Sequence, residues 1–89
     1  MRLFLGAVLT VLGVLIAQQA VLNQDQLARH RNLGKAFYEN PTTQQKAVEE
    51  FQKALQLNAQ SARERLNYAL ALLRAGKTEE AVAQLEQVR

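Results

Sequence analysis

Residues 27–61 and 62–89 can be laid over one another in register. Asn32 falls on Asn67, Leu33 on Tyr68, Gly34 on Ala69 and Phe37 on Leu72, at an offset of 35. One extra residue near Pro41 shortens the offset to 34. After it, Ala47-Val48 falls on Ala81-Val82, Phe51 on Leu85 and Ala54 on Val88. A repeat of this length is one supersecondary unit that cannot bury its apolar face alone and must stack on its neighbour. This constrains the chain more than its composition does, because both copies must accept the same local structure.

The local structure is helical. Apolar positions 47, 48, 51, 54 and 55 keep the i, i+3/i+4, i+7 spacing of one helix face. Gly34 and Ala69 have no bulky side chain, so a neighbouring helix can approach there. Ala47, Ala54 and Ala81 do the same from the second helix of each pair. Phe37, Phe51, Leu72 and Leu85 fill the space between. Asn23 with Gln26 reads as a capping box for a helix over about 24–39, ended by Asn40-Pro41. Thr42 or Thr43 caps a second helix over about 43–57, closed by Asn58. Ser61 with Glu64 is a capping box for a third over about 62–75, which Gly76 ends as a left-handed residue. Thr78-Glu79-Glu80 starts a fourth over about 78–88, with acids near its positive end.

Small and bulky residues at these fixed places, repeated at about 34 residues, resemble the tetratricopeptide repeat. Leu33, Gly34, Phe37, Ala47, Phe51 and Ala54 fill the family's positions in the first copy. Tyr68, Ala69, Leu72, Gly76, Ala81, Leu85 and Val88 fill them in the second. His30 and Arg65 depart from the family's Trp-like first position, and Ala59 stands for its common Pro. The resemblance covers residues 27–89. It implies an all-α fold of antiparallel helix hairpins, an α-solenoid, with hairpins at 23–58 and 61–89. It also implies a non-enzymatic scaffold that binds a partner peptide or protein on its concave face.

In front of this body lies LFLGAVLTVLGVLIA, an uncharged run over residues 3–17 that follows Arg2. One basic residue and about 15 apolar ones fit a signal peptide. With Gln18 and Gln19 tolerated at an interface, residues 3–22 also supply the ~20 positions of a membrane-spanning helix. Cleavage would fall after Ala17 or Ala20, and both sites are poor, because Leu15 or Gln18 stands three residues back where a small residue is preferred. Residues 1–22 are therefore expected to be a signal peptide or an uncleaved anchor, and the protein exported or membrane-anchored. A globular core helix is disfavoured, because the apolar residues surround the helix on every face.

Other functions are excluded by residue type. There is no Cys, so disulfides, thiolate metal sites and Cys nucleophiles are absent. One His and no clustered acids argue against a metal, and no cofactor motif occurs. A net charge of +3, scattered along the chain, is not a nucleic-acid footprint. His30, between Arg29 and Arg31, reads as a surface or packing residue, and Glu49-Glu50 and Glu79-Glu80 as solvated faces.

The family's concave face maps onto Arg31, Lys35 and Tyr38 in the first copy, and onto Arg63, Asn67, Leu70 and Arg74 in the second. Arg31, Lys35 and Asn67 resemble part of a clamp for a C-terminal carboxylate, although Lys35 stands where that clamp has Asn. The partner implied is acidic; the alternative is a solvated basic face. The fourth helix carries an apolar stripe of Ala81, Val82, Leu85 and Val88 with nothing after it to cover it. Since ~3 repeats are usually needed, the stripe is expected to stack on further repeats of a longer chain or on another copy. Self-assembly through it is the alternative function.

Overall fold

A computed structural model describes residues 2–88 of the chain, with side chains over residues 10–88. The described residues form four α-helices: α1 (Arg2–Tyr38), α2 (Gln44–Leu57), α3 (Ala62–Arg74) and α4 (Thr78–Glu86). A single 3-10 turn, Pro41–Thr43, sits between α1 and α2 and accommodates the residue that lengthens the first copy. The fold is all-α.

The helices stop where backbone chemistry stops them. Pro41 drives Asn40 to an extended conformation (φ −104°, ψ 123°). Asn40 then accepts from the Thr42 N–H at 2.9 Å. Thr42 or Thr43 was expected to cap α2; Thr43 holds the N-cap position but makes no side-chain cap, its hydroxyl turning back to donate to the Phe37 carbonyl at 2.7 Å. Ser61 accepts from the Glu64 N–H at 3.2 Å and starts α3. After α3, Lys77 N–H donates to Leu72 O (2.8 Å) and Gly76 N–H to Leu73 O (3.0 Å). These are the two hydrogen bonds of a Schellman motif. They require Gly76 at φ +80°, which glycine reaches without steric cost. The last turn of α4 opens after Glu86, two residues before the expected end, into i→i−3 bonds from Gln87 and Val88.

The largest correction concerns α1. No helix begins at residue 24, and Asn23 and Gln26 form no capping box. The helix runs unbroken from Arg2 to Tyr38. A cap is needed only where N–H groups lack partners. No Pro lies between the apolar run and Tyr38, so the i→i−4 ladder continues and satisfies them. Asn23 instead accepts a side-chain bond from Gln19 at 3.1 Å, one turn earlier.

The C-terminal part of α1 packs on α2, α2 on α3, and α3 on α4. The short connections at 58–61 and 75–77 reverse the chain each time. The core joins Ala47, Val48, Phe51 and Leu55 of α2 with Tyr68, Ala71 and Leu72 of α3 and Ala81 of α4. Phe37 and Tyr38 of α1 pack against its edge. Gly34 brings α1 onto α2: a Cβ there would lie 2.6 Å from the Phe51 ring.

Residues 11–22 of α1 take no part in this core. Val11, Leu12, Val14, Leu15, Ile16, Val21 and Leu22 are all half or more exposed, Ile16 by 68%. Among the described residues no helix is long and apolar enough to cross a membrane. Residues 3–9 of the apolar run have side chains outside the described ones.

Candidate functional site

The C-terminal turns of α1 and the middle of α3 stand side by side with α2 behind them. They enclose a cleft of about 150 Å³ lined by Lys35, Tyr38, Glu39, Phe51, Asn67 and Leu70. Four of the seven expected groove residues are thus brought together: Lys35, Tyr38, Asn67 and Leu70. Arg74 joins at the rim, its guanidinium 4.6 Å from the centre of the Tyr38 ring, in cation–π range. Leu70 is 42% exposed, and Leu66 and Leu73 are similarly open. Their i, i+4, i+7 spacing places all three on one stripe of α3. Phe51, expected only as core, forms part of the lining, and Glu39 was missed. The signal for Glu39 was present, since it lies one helical turn beyond Lys35.

Arg31 takes a different role. Its Nε donates to Glu64 Oε1 at 2.7 Å, bridging α1 to α3, and a second guanidinium nitrogen meets the same oxygen. Glu64 is 1% exposed. Its other oxygen accepts from the Ser61 hydroxyl at 2.7 Å and more weakly from the Asn58 amide at 3.4 Å. Burial raises the Glu64 pKa, but the bonds from Ser61 and Arg31 and the charges of Arg31 and Arg63 outweigh it. The carboxyl is held below the ordinary value of 4.5. Arg31 is therefore spent on an internal acid rather than free for a ligand. Arg63 is exposed and lines no part of the cleft. Glu64 was read from the sequence only as a capping residue. What hid it is that its partner lies 33 positions away.

His30 also has a partner that local sequence could not reveal. Its Nδ1 lies 2.6 Å from Glu50 Oε2, joining α1 to α2. Glu50 is half-buried and also meets Lys53 at 3.5 Å, so it is not part of a solvated face. Burial raises the Glu50 pKa, while the His30 hydrogen bond and the Lys53 and His30 charges lower it further, leaving it depressed. Glu49, Glu79 and Glu80 do stand in solvent.

The expected stacking stripe on α4 is corrected in part. Ala81 has no exposed surface and belongs to the chain's own core. The stripe was drawn from one helix alone, and α3 already covers this position. Leu85 and Val88 are half-buried, and Val82 is the open member, at 46%.

Among the described residues, no group of three His, Cys, Asp or Glu side chains converges as a metal site would. No protein-family model, curated protein or solved structure matches this chain.

Proposed function

We propose that this protein is a non-enzymatic interaction scaffold of tetratricopeptide type, anchored to a membrane by the start of α1, which holds a segment of a partner protein in the α1–α3 cleft. The observation that carries the reading is the cleft itself: the end of α1 supplies Lys35, Tyr38 and Glu39 to one wall, and α3 supplies Asn67 and Leu70 to the other. Lys35 and Arg74 offer donors for carboxylates. The Leu66, Leu70 and Leu73 stripe offers apolar surface. The matching partner segment carries leucine-sized and acidic side chains together.

The anchor rests on the distribution of exposed apolar residues. Val11, Leu12, Val14, Leu15 and Ile16 spread over roughly 200° of the helix surface at about 100° per residue, and the rest of the circumference carries Thr10, Gly13, Ala17, Ala20 and Val21, none of them charged. The described exposed apolar stretch, residues 11–22, is only about 18 Å long at ~1.5 Å per residue. The sequence adds Leu3, Phe4, Leu5, Ala7, Val8 and Leu9 in front of it. Together they reach the ~30 Å of a hydrocarbon core.

Charge reversal in the full chain, reconstituted in lipid nanodiscs, tests the cleft. The probe is a fluorescent hexapeptide of leucine and aspartate with a free C-terminal carboxylate. Lys35→Glu combined with Arg74→Glu should weaken binding more than tenfold at low salt, while Gln52→Glu on α2 leaves it unchanged. Absence of binding, or binding that the double reversal does not alter, refutes the reading. Arg31 is unsuited to this test because its loss would strand Glu64.

A further inference from the structure

We infer that the end of the helical body formed by the α2–α3 turn and the last turn of α4 rests in the phospholipid headgroup layer of the bilayer that holds α1. This rests on the anchor proposed above and adds an orientation to it.

The register of α1 against the body carries the argument. The apolar surface of α1 ends at Leu22. Asn23, Gln24 and Leu27 already share a hollow with Leu57 and Asn58 at the end of α2. The residues of α1 in this hollow lie one to five positions beyond Leu22, so at ~1.5 Å per residue the 58–61 turn begins about 2–7 Å beyond the level where the apolar surface stops. The headgroup region is roughly 5–7 Å deep on each side of the hydrocarbon. The turn therefore falls inside it. Nor can the body swing away, because α1 continues through this level without a break.

Chain direction then decides which end faces the lipid. The helices alternate in direction, so α2 and α4 end, and α3 begins, at this level. The Pro41–Thr43 turn and Gly76 lie at the opposite end. The two ends differ chemically. The lipid-side hollow is lined by Ala59, Gln60, Ser61, Ala62 and Arg65, with Gln87 and Val88 of α4 closing it. These side chains are small or neutral apart from one arginine. Its guanidinium is held by the Ala59 carbonyl at 3.1 Å and the Gln84 amide oxygen at 2.6 Å. Glu64, in the first turn of α3, is buried and paired with Arg31. Exposed Asp25 and Glu86 also lie near this level, as do the exposed cations Arg29 and Arg63. Exposed Glu39, Glu79 and Glu80 lie at the far end. Arginine with neutral polar groups suits a phosphate layer, which repels carboxylates.

The chain has no native Cys, so a fluorophore can be placed singly through Gln60→Cys or, at the far end, Glu79→Cys. Each full-length variant is reconstituted in vesicles of phosphatidylcholine and phosphatidylglycerol (3:1) containing headgroup-nitroxide lipid. Quenching at position 60 should exceed that at position 79 several-fold. Carbonate retention and the N-terminal mass are read on the same samples. Retained, uncleaved protein quenched equally at both positions overturns the orientation and leaves the anchor standing. Release by carbonate, or a chain beginning after Ala17 or Ala20, overturns anchor and orientation together.

Discussion

Gly34→Ala should destabilise this protein although alanine is the better helix former. In a helix interior alanine is favoured over glycine by about 0.8–1.0 kcal/mol. Against that stands the added methyl group. It would lie 2.6, 2.7 and 2.9 Å from Cε1, Cδ1 and Cζ of Phe51. Ordinary carbon contacts are ~3.5–4.0 Å, so the ring must withdraw by about 1 Å. Phe51 is 4% exposed, and its one open side is the narrow cleft beside Lys35 and Leu70. Overpacking of this kind costs about 1–3 kcal/mol, and three simultaneous overlaps on a rigid ring put it in the upper half of that range. The net loss is then about 1–2 kcal/mol, or roughly 5–15 °C in Tm for a body of this size. Thermal melts followed by helical circular dichroism on the full chain in detergent micelles measure it. Gly13→Ala is the matched control, because nothing lies within 4 Å of that position, and its melt should not fall. A double-mutant cycle with Phe51→Leu should show coupling of about 1 kcal/mol, since the smaller side chain relieves the overlap. If Gly34→Ala melts at or above the parent, α1 does not approach α2 at this point and the packing argument fails.

Arg31→Ala should cost about 3–5 kcal/mol by leaving the Glu64 carboxylate buried without its cation, and Arg31→Ala combined with Glu64→Leu should recover much of it; chemical denaturation distinguishes the two, and equal losses would contradict the pairing. Acid should act through the same carboxylate. Its folded pKa lies below 4.5, so the stability it contributes is present above that value and is lost as pH falls through the folded pKa. Glu64→Gln should flatten the acid limb of a stability–pH curve below about pH 4.5, and a variant that follows the parent there would assign acid sensitivity elsewhere.

Much of the architecture was legible because it is local. Gly76 after a periodic run, Pro41 behind Asn40 and Ser61 three residues before Glu64 are short-range signals, and each sets a helix boundary near the expected place. Their failures were also local. Asn23 has the residue type of a cap, but a cap forms only where the backbone leaves the helix, and nothing near Asn23 makes it leave. Thr43 also has the residue type of a cap, but its hydroxyl is turned toward the end of α1, where it donates to the Phe37 carbonyl, and it accepts no N–H of α2.

The candidate site was legible in part for a related reason. A repeat register places Lys35, Tyr38, Asn67 and Leu70 on equivalent faces, and they do line one cleft. A register does not say which charges will be consumed by partners on other helices. Arg31 and Lys35 are one helical turn apart and look equivalent in sequence. Only the arrival of α3 beside α1 ties Arg31 to Glu64, just as the arrival of α2 ties His30 to Glu50.

The sequence by itself determined that this chain is helical, where most of its turns fall, and that a neighbouring helix can approach closely at Gly34, because periodicity, caps and side-chain volume act over a few residues. Tertiary structure decided which cations remain free, that Ala81 is covered, and that the apolar segment and the first helix of the body are one continuous rod. Those outcomes depend on groups far apart in sequence, or on the absence of any competing break in the helical ladder. No single residue type announces either.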